Sequence, residues 1–305
     1  MTSFAEKERL GTCVALGNFD GIHLGHQKII EACVEEGKKD GLISLVWSFR
    51  RHPEHIMKGN FSSGNIISNK DKERILKKMG VSHLILEDFE RVRDFSPQVF
   101  CEEILLRKLS AKKVFCGFNF RFGKGGEGDA AYLKEYLEPR GVQVFTEDPV
   151  CYGGQPISST KIRGFLNEGK VEEAGSFLGR PYSICFPVLQ GKRLGRRIGF
   201  PTLNQAFPEE YVTPKKGVYA VRVIFDEKEY FGVCNVGSRP TVDQDDRIIA
   251  ETHLFDFSGE LYGKEVRVEF YKFLRPETRF SSLEELKTQI GKDREEARLF
   301  WEEKK

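Results

Sequence analysis

Two histidines stand three residues apart in "ALGNFDGIHLGHQKII", residues 15–30: His23 and His26, behind a glycine-punctuated turn and ahead of an apolar-periodic run. Imidazoles at i and i+3 of a helix share a face, so the pair could hold a metal ion or present N–H donors to an anion. A second pair, His52 and His55 in "FRRHPEHIM", encourages the metal reading, but Pro53 between them argues against a common helical face. A capped helix start with two incidental histidines is the plainer alternative. The context favours phosphate. Gly17, Gly21 and Gly25 permit tight turns and close backbone approach to a ligand. A helix beginning here aims its free N–H groups and positive dipole end at whatever lies in front of it. Imidazole donors beside that dipole would grip phosphate oxygens harder as negative charge concentrates during transfer.

Such a turn needs a strand behind it and a helix after it, and the surrounding pattern supplies both. Up to about residue 150, short apolar runs ("CVAL", "LISLVWSF", "HLIL", "KVFCGFNF", "VQVFTED") alternate with helix-period segments ("HLGHQKIIEACVEEGKKDG", "NKDKERILKKMG", "PQVFCEEILLRKL", "GDAAYLKEYLEPRG"). That alternation predicts an α/β domain with a parallel sheet, whose ligands sit at the carboxyl ends of its strands. A helical segment over 158–178 ends in "GRP", where Gly179 and Pro181 stop it, which places a domain boundary at 180/181. Beyond it, "GVYAVRVIF", "YFGVCNVGSRP", "AETHLFDFSGELYG" and "KEVRVEFYKFL" predict a small antiparallel barrel or sandwich. In the final stretch Leu283, Leu286, Ile290, Ala297 and Phe300 recur at helical spacing, as on an amphipathic helix packed against that barrel.

Composition narrows the class of partner. With 305 residues the chain can bury two cores, and 48 basic against 46 acidic residues give a net charge of +2. That balance lacks the electrostatic footprint of a nucleic-acid or membrane-surface protein and points to small-molecule substrates, with at most a weak homo-oligomer. Seven cysteines without a CxxC pair fit reduced thiols in a cytoplasmic protein better than a disulfide framework. Neither a signal-peptide core nor a membrane-spanning apolar run is visible, so no membrane association is expected.

The stretch "GNFDGIHLGH" matches the HxGH signature of nucleotidylyltransferases, and the form preceded by FDG resembles the bifunctional riboflavin kinase/FMN adenylyltransferases, the prokaryotic FAD synthetases. Further stretches agree in order. "FRRHP" at 49–53 resembles the family's second nucleotide-binding stretch, "GFNFRFGKGGEGD" at 117–129 its flavin-side loop, and "ISSTKIR" at 157–163 its phosphate-closing loop. "GRRIGFPTLN", "GSRPT", "ETHLFDFSGELYG" and "LRPETRFSSLEEL" resemble the flavokinase module. The resemblance implies a Rossmann-like nucleotidylyltransferase domain over 1–180 and a small antiparallel β-barrel flavokinase domain with a terminal helix over 181–305.

It also implies two reactions using ATP, flavin (riboflavin, FMN, FAD) and Mg²⁺. In the first domain His23 and His26 would contact the ATP phosphates, with Gly17, Phe19, Asp20, Gly21 and His52 lining the nucleotide site. Ser159, Thr160 and the catalytic Arg163 would close over the phosphates, and Asn119 and Phe122 would hold the flavin. In the second domain Glu251 would act as general base on riboflavin's hydroxyl, and Thr202 and Asn204 would be Mg²⁺ ligands. Read without the family, "SSTKIR" is an N-capped helix start, Phe118, Phe120 and Phe122 are core residues of a strand, Glu251 is a solvated strand residue and "PTLN" is a turn.

One departure stands out. Phe186 occupies the position, shortly after "GRPY", where the family usually carries glycine, and it could fill flavin or nucleotide space. A monofunctional FMN adenylyltransferase with an inactive kinase-like domain is therefore a second reading. A flavin-sensing binding protein is a third, opposed by the retained histidines. An aminoacyl-tRNA synthetase relative is a fourth, opposed by the charge balance.

Overall fold

The computed structural model describes residues 11–58, 64–190, 199–239 and 247–304. The stretch "MTSFAEKERL", residues 195–198 of "GRRIGFPTLN", Pro240 and Thr241 of "GSRPT", and the side chain of His55 lie outside them. Within the described residues, 11–58 and 68–159 form one compact unit, and 64–67 with 160–304 form a second.

The first unit is a five-stranded parallel sheet: β1 (Thr12–Leu16), β2 (Ile43–Phe49), β3 (His83–Glu87), β4 (Ala111–Gly117) and β5 (Gln143–Glu147), in the order β3-β2-β1-β4-β5. Every residue of β1 is buried, as a strand covered on both faces must be. Helix α1 (Leu24–Asp40) follows β1 and ends where Gly41 turns left-handed (φ 67°), with Leu42 N–H donating to Gly37 O at 2.8 Å. Two further helices follow β2: α2 (Pro53–Lys58) and α3 (Asn69–Lys78), whose N-cap Ser68 accepts from Asp71 N–H at 3.0 Å.

The segment "PQVFCEEILLRKL" winds as a π-helix, α4 (Phe100–Lys108), rather than with the α period its spacing predicts. Leu109 N–H reaches back five residues to Ile104 O at 2.9 Å, and Phe100, Cys101, Ile104 and Leu105 are all turned into the core. There they meet Leu16, Trp47 and Val114 of the sheet and Leu133 and Leu137 of α5 (Ala130–Leu137).

In the second unit the expected single helix is two, α6 (Ser159–Glu168) and α7 (Val171–Leu178), broken at Gly169 with φ 83°. Gly179 caps α7 in the left-handed conformation at φ 68°. Six antiparallel strands follow: β6 (Tyr182–Pro187), β7 (Thr202–Ala206), β8 (Gly217–Phe225), β9 (Lys228–Arg239), β10 (Arg247–Leu254) and β11 (Glu265–Pro276). Their order is β6-β11-β8-β9-β10-β7, and Leu189, just past β6, donates its N–H to Asn204 O of β7 at 2.7 Å, so the sheet curls back on itself. "PTLN" is thus the start of a strand, not a turn.

Helix α8 (Leu283–Glu303) is capped by Ser282, whose Oγ accepts from Glu285 N–H at 3.2 Å, while Glu285's carboxylate accepts from the preceding Ser281 N–H at 2.9 Å. Its contact with the sheet comes from Ala297, Phe300 and Trp301, which pack on Val218, Ala220, Val233 and Phe255. Burying Phe300 contributes about 1.5–3 kcal/mol. Leu283, expected on the same apolar stripe, is 48% exposed because the first turns of α8 run past the edge of that core.

Candidate active sites

The strand order reverses between β1 and β4, and the segments leaving the carboxyl ends of these neighbours are "GNFDGIH" and "FNFRF". In open α/β sheets such a switch point is where ligands bind. His52 follows β2, the strand on the other side of β1. Topology therefore gathers three of the predicted stretches along one end of one sheet.

The turn after β1 is held in uncommon backbone conformations. Phe19 (φ 47°) and Ile22 (φ 40°) are left-handed without being glycine, and Gly21 lies between them at φ 83°. Phe19, Ile22, Asp20 and His23 are all buried. A Cβ on Gly17 would lie 2.9 Å from Phe19 Cζ, so glycine at 17 is what lets the Phe19 ring fold back over the strand end. His23 is the N-cap of α1, its Nδ1 accepting from His26 N–H at 3.3 Å. The two imidazoles stack with centroids 3.5 Å apart and planes at 17°, and Phe19 meets His26 edge-on at 5.2 Å. A Cβ on Gly25 would come within 3.3 Å of the His23 ring, so that glycine makes room for the stack.

Ser159 ties into this turn, its Oγ donating to Asp20 O at 2.9 Å. Thr160 and Arg163 belong to the second unit, where Thr160 is exposed and Arg163 Nε donates to Gly64 O at 2.8 Å. His52 Nδ1 accepts from Glu54 N–H at 3.2 Å and so caps α2. Asn119 follows Gly117 closely enough that a Cβ there would lie 3.4 Å from Asn119 Oδ1. The Phe122 ring is buried beside Phe100 (5.0 Å), Phe120 (5.7 Å) and Tyr132 (6.0 Å), whereas Phe118 is 55% exposed.

Strand register organises the second unit's candidates. Asn204 of β7 lies opposite Glu251 of β10, and Glu251 lies opposite Asn235 of β9. Cross-strand partners project to the same face, so these three share one side of the sheet. A cavity of about 420 Å³ is lined by Thr202, Leu203, Thr252, Leu254, Phe257 and Tyr262, among others. Of the three predicted residues, Thr202 lines it, while Asn204 and Glu251 do not. Within β10, Thr252 and Leu254 line the cavity, whereas Glu251 and His253, which alternate with them, do not. His253 Nδ1 is 2.9 Å from Pro201 O, and burial lowers its pKa below the usual histidine value.

Phe186 does not block this cavity. It pairs with Val266 across β6 and β11, and its ring lies edge-on to Phe207 (5.9 Å) and Tyr211 (5.3 Å), outside the cavity lining. Phenylalanine here is a packing residue, which removes the observation behind the inactive-kinase reading.

Sequence reasoning overlooked Asn235 and Lys72. In "CNVGSRP" the alternation marks Asn235 as facing away from Cys234 and Val236 but cannot say that Glu251 lies beside it. Lys72 reads as one more charge on a polar helix, yet it is buried, with Nζ donating to Asn18 O of the turn at 2.9 Å. Among the described residues, no group of three or more His, Cys, Asp and Glu side chains is placed to hold a metal ion.

The first unit thus has the architecture of a Rossmann-like nucleotidylyltransferase domain, and the second that of a small antiparallel barrel with a helix at its end. The FAD synthetase family model matches residues 5–161 and the riboflavin kinase model residues 178–301. The bifunctional riboflavin kinase/FMN adenylyltransferase of Escherichia coli (strain K12) is 38% identical over 293 residues, 95% of this chain and 93% of the relative. That of Bacillus subtilis (strain 168) is 35% identical over 300 residues, 96% and 93% of the two. A crystal structure described as a macrolide-efflux protein from Streptococcus pneumoniae superposes with a TM-score of 0.84 at 32% identity, covering 94% of each chain. The chain belongs to the bifunctional riboflavin kinase/FMN adenylyltransferase family. Among its described residues no helix is long and apolar enough to cross a membrane.

Proposed function

We propose that the chain makes FAD in two ATP-dependent steps: the second unit phosphorylates riboflavin to FMN, and the first adenylylates FMN to FAD. The presence of both family domains in one chain carries this reading. For adenylylation, an FMN phosphate oxygen attacks the α-phosphorus of ATP, a P–O bond forms, and the bond to the bridging oxygen breaks as pyrophosphate leaves. A phosphate monoester has its second pKa near about 6, so the nucleophile is already ionised at neutral pH and needs no base. Catalysis is then positioning and charge stabilisation.

The stacked His23 and His26 at the start of α1 supply ring N–H donors to the phosphates, beside the positive end of the helix. Phe19, Asp20, Gly17 and Gly21 shape the nucleotide wall, His52 borders it, and Asn119 and Phe122 support the flavin side. For Thr160 and Arg163 a phosphate role rests on the resemblance alone.

In the second unit riboflavin's neutral terminal hydroxyl must lose a proton. Glu251 takes it as the oxygen attacks the γ-phosphorus of ATP and ADP departs. Asn235, the register partner of Glu251, orients the carboxylate in this scheme. Thr202 and Asn204, two residues apart on β7, offer hard, neutral oxygen donors that would hold Mg²⁺. When bound, that ion neutralises phosphate charge. The reaction is assigned to the cytoplasm, in keeping with seven free cysteines.

Full-length protein incubated with ATP, Mg²⁺ and either riboflavin or FMN, with the flavins separated by chromatography, tests the whole scheme. FMN and FAD from riboflavin, and FAD from FMN, are the expected products. FAD from FMN without any FMN from riboflavin would refute the bifunctional reading.

A further inference from the structure

Lys72 is a buried cation that the scheme above leaves unused. It is 4% exposed, on the inward face of α3 with Ile75 and Leu76. Its Nζ donates to Asn18 O at 2.9 Å and to Ser48 Oγ at 3.2 Å, and Ser48 Oγ in turn donates to the same Asn18 carbonyl at 2.8 Å. Two donors, one from α3 and one from β2, thus converge on a single backbone oxygen. That oxygen sits immediately before Phe19, in the turn whose left-handed residues Phe19 and Ile22 persist only if their surroundings over-determine them.

A lysine is a costly way to fill this space. Burial pushes the Lys72 ammonium down to about 8, opposed by the negative charge of Asp20. An apolar side chain of similar length would avoid that cost but would leave the Asn18 carbonyl with one donor fewer and the buried Asp20 without this counter-charge. The arrangement therefore trades desolvation for a fixed turn and a balanced charge behind the start of α1.

We infer that Lys72 is a positioning residue for ATP: acting from behind the turn, it fixes the Asn18 carbonyl and balances Asp20, and so holds Phe19, Asp20 and the start of α1 in the nucleotide-accepting conformation. The inference rests on the reading of "GNFDGIHLGH" as the ATP site. A lysine that merely stabilised the fold would change how much enzyme is active, lowering apparent kcat at constant KM. A positioning lysine changes the KM for ATP.

The test compares wild type, Lys72→Met and Ser48→Ala as full-length chains, with steady-state constants for both reactions and circular dichroism as a check on folding. In Lys72→Met the KM for ATP in FAD formation should rise about fivefold or more, while the KM for FMN and the rate of riboflavin phosphorylation stay near wild type. Ser48→Ala, which removes one of the two donors, should raise the same KM by about two- to threefold. An unchanged KM for ATP in Lys72→Met, or a rise confined to FMN, overturns the inference. Should Lys72→Met fail to fold, an unchanged KM in Ser48→Ala overturns it equally. A wild-type chain that makes no FAD from FMN and ATP would instead overturn the ATP reading of the turn, and the inference with it.

Discussion

Replacing His26 by alanine should separate the two activities. The helix start survives the change, because the cap bond runs from the backbone N–H of residue 26 to His23 Nδ1, and alanine is the best helix former for the first turn. What disappears is the ring. Losing one preorganised donor to a developing phosphoryl charge costs about 2.7–4 kcal/mol. The 3.5 Å stack that orients His23 is lost as well, at about 0.5–1.5 kcal/mol. Together these amount to roughly 3–5 kcal/mol, a fall of about 10²- to 10⁴-fold in FAD formation. FMN formation from riboflavin should stay within about twofold, since the proposed groups for that step lie in a different compact unit. The assay is the same chromatographic separation of FMN and FAD, started from each flavin in turn, with urea unfolding alongside. FAD formation within about threefold of wild type would refute the donor role. Equal loss of both activities in a folded protein would refute the division of labour.

Glu251→Gln keeps shape but cannot accept a proton, so FMN formation should drop by about 10²-fold or more while FAD formation from supplied FMN continues; persistence of phosphorylation in the flavin assay excludes Glu251 as base. Phe186→Ala should destabilise the protein in urea by about 3–5 kcal/mol through loss of its contacts with Phe207 and Tyr211, and a gain in kinase rate would contradict its packing role. His253 has its folded pKa depressed by burial, so its contribution to stability is present above the unfolded value of about 6.5 and is lost as pH falls through the folded pKa. Urea unfolding at a series of pH values should accordingly show a fall in stability below that point that is shallower in His253→Gln, and equal slopes would remove His253 as its source.

Much of this protein is legible in one dimension. The alternation of apolar runs and helix-period segments places β1 to β5 and the helices between them, because burial on both faces of a parallel sheet demands near-continuous apolar strands. The glycines and histidines of "GNFDGIHLGH" mark a turn before a helix, and the family signature attaches chemistry to it. Local spacing fails where the periods compete or break: α4 winds as a π-helix to seat Phe100, Ile104 and Leu105 in one core, and Gly169 divides a single helical pattern into α6 and α7. Four of the six described strands of the second unit follow the pattern of long β runs, but "PTLN" starts a strand because Asn204 pairs with Glu251 across the ladder.

Sequence by itself determined the order of the elements, the two-module organisation and the residue types available for phosphate chemistry. Tertiary structure alone decided which of them meet. Strand order 3-2-1-4-5 sets the loop after β1 beside the loop after β4, although about a hundred residues of chain separate them. Register put Asn235 beside Glu251, and the packing of α3 on β2 carried Lys72 from an apparently solvated face to the turn after β1. The physical reason is common to all three. Periodicity encodes which side of its own element a residue faces, whereas the neighbour it finds there depends on pairings between distant segments that are chosen by the burial of the whole unit.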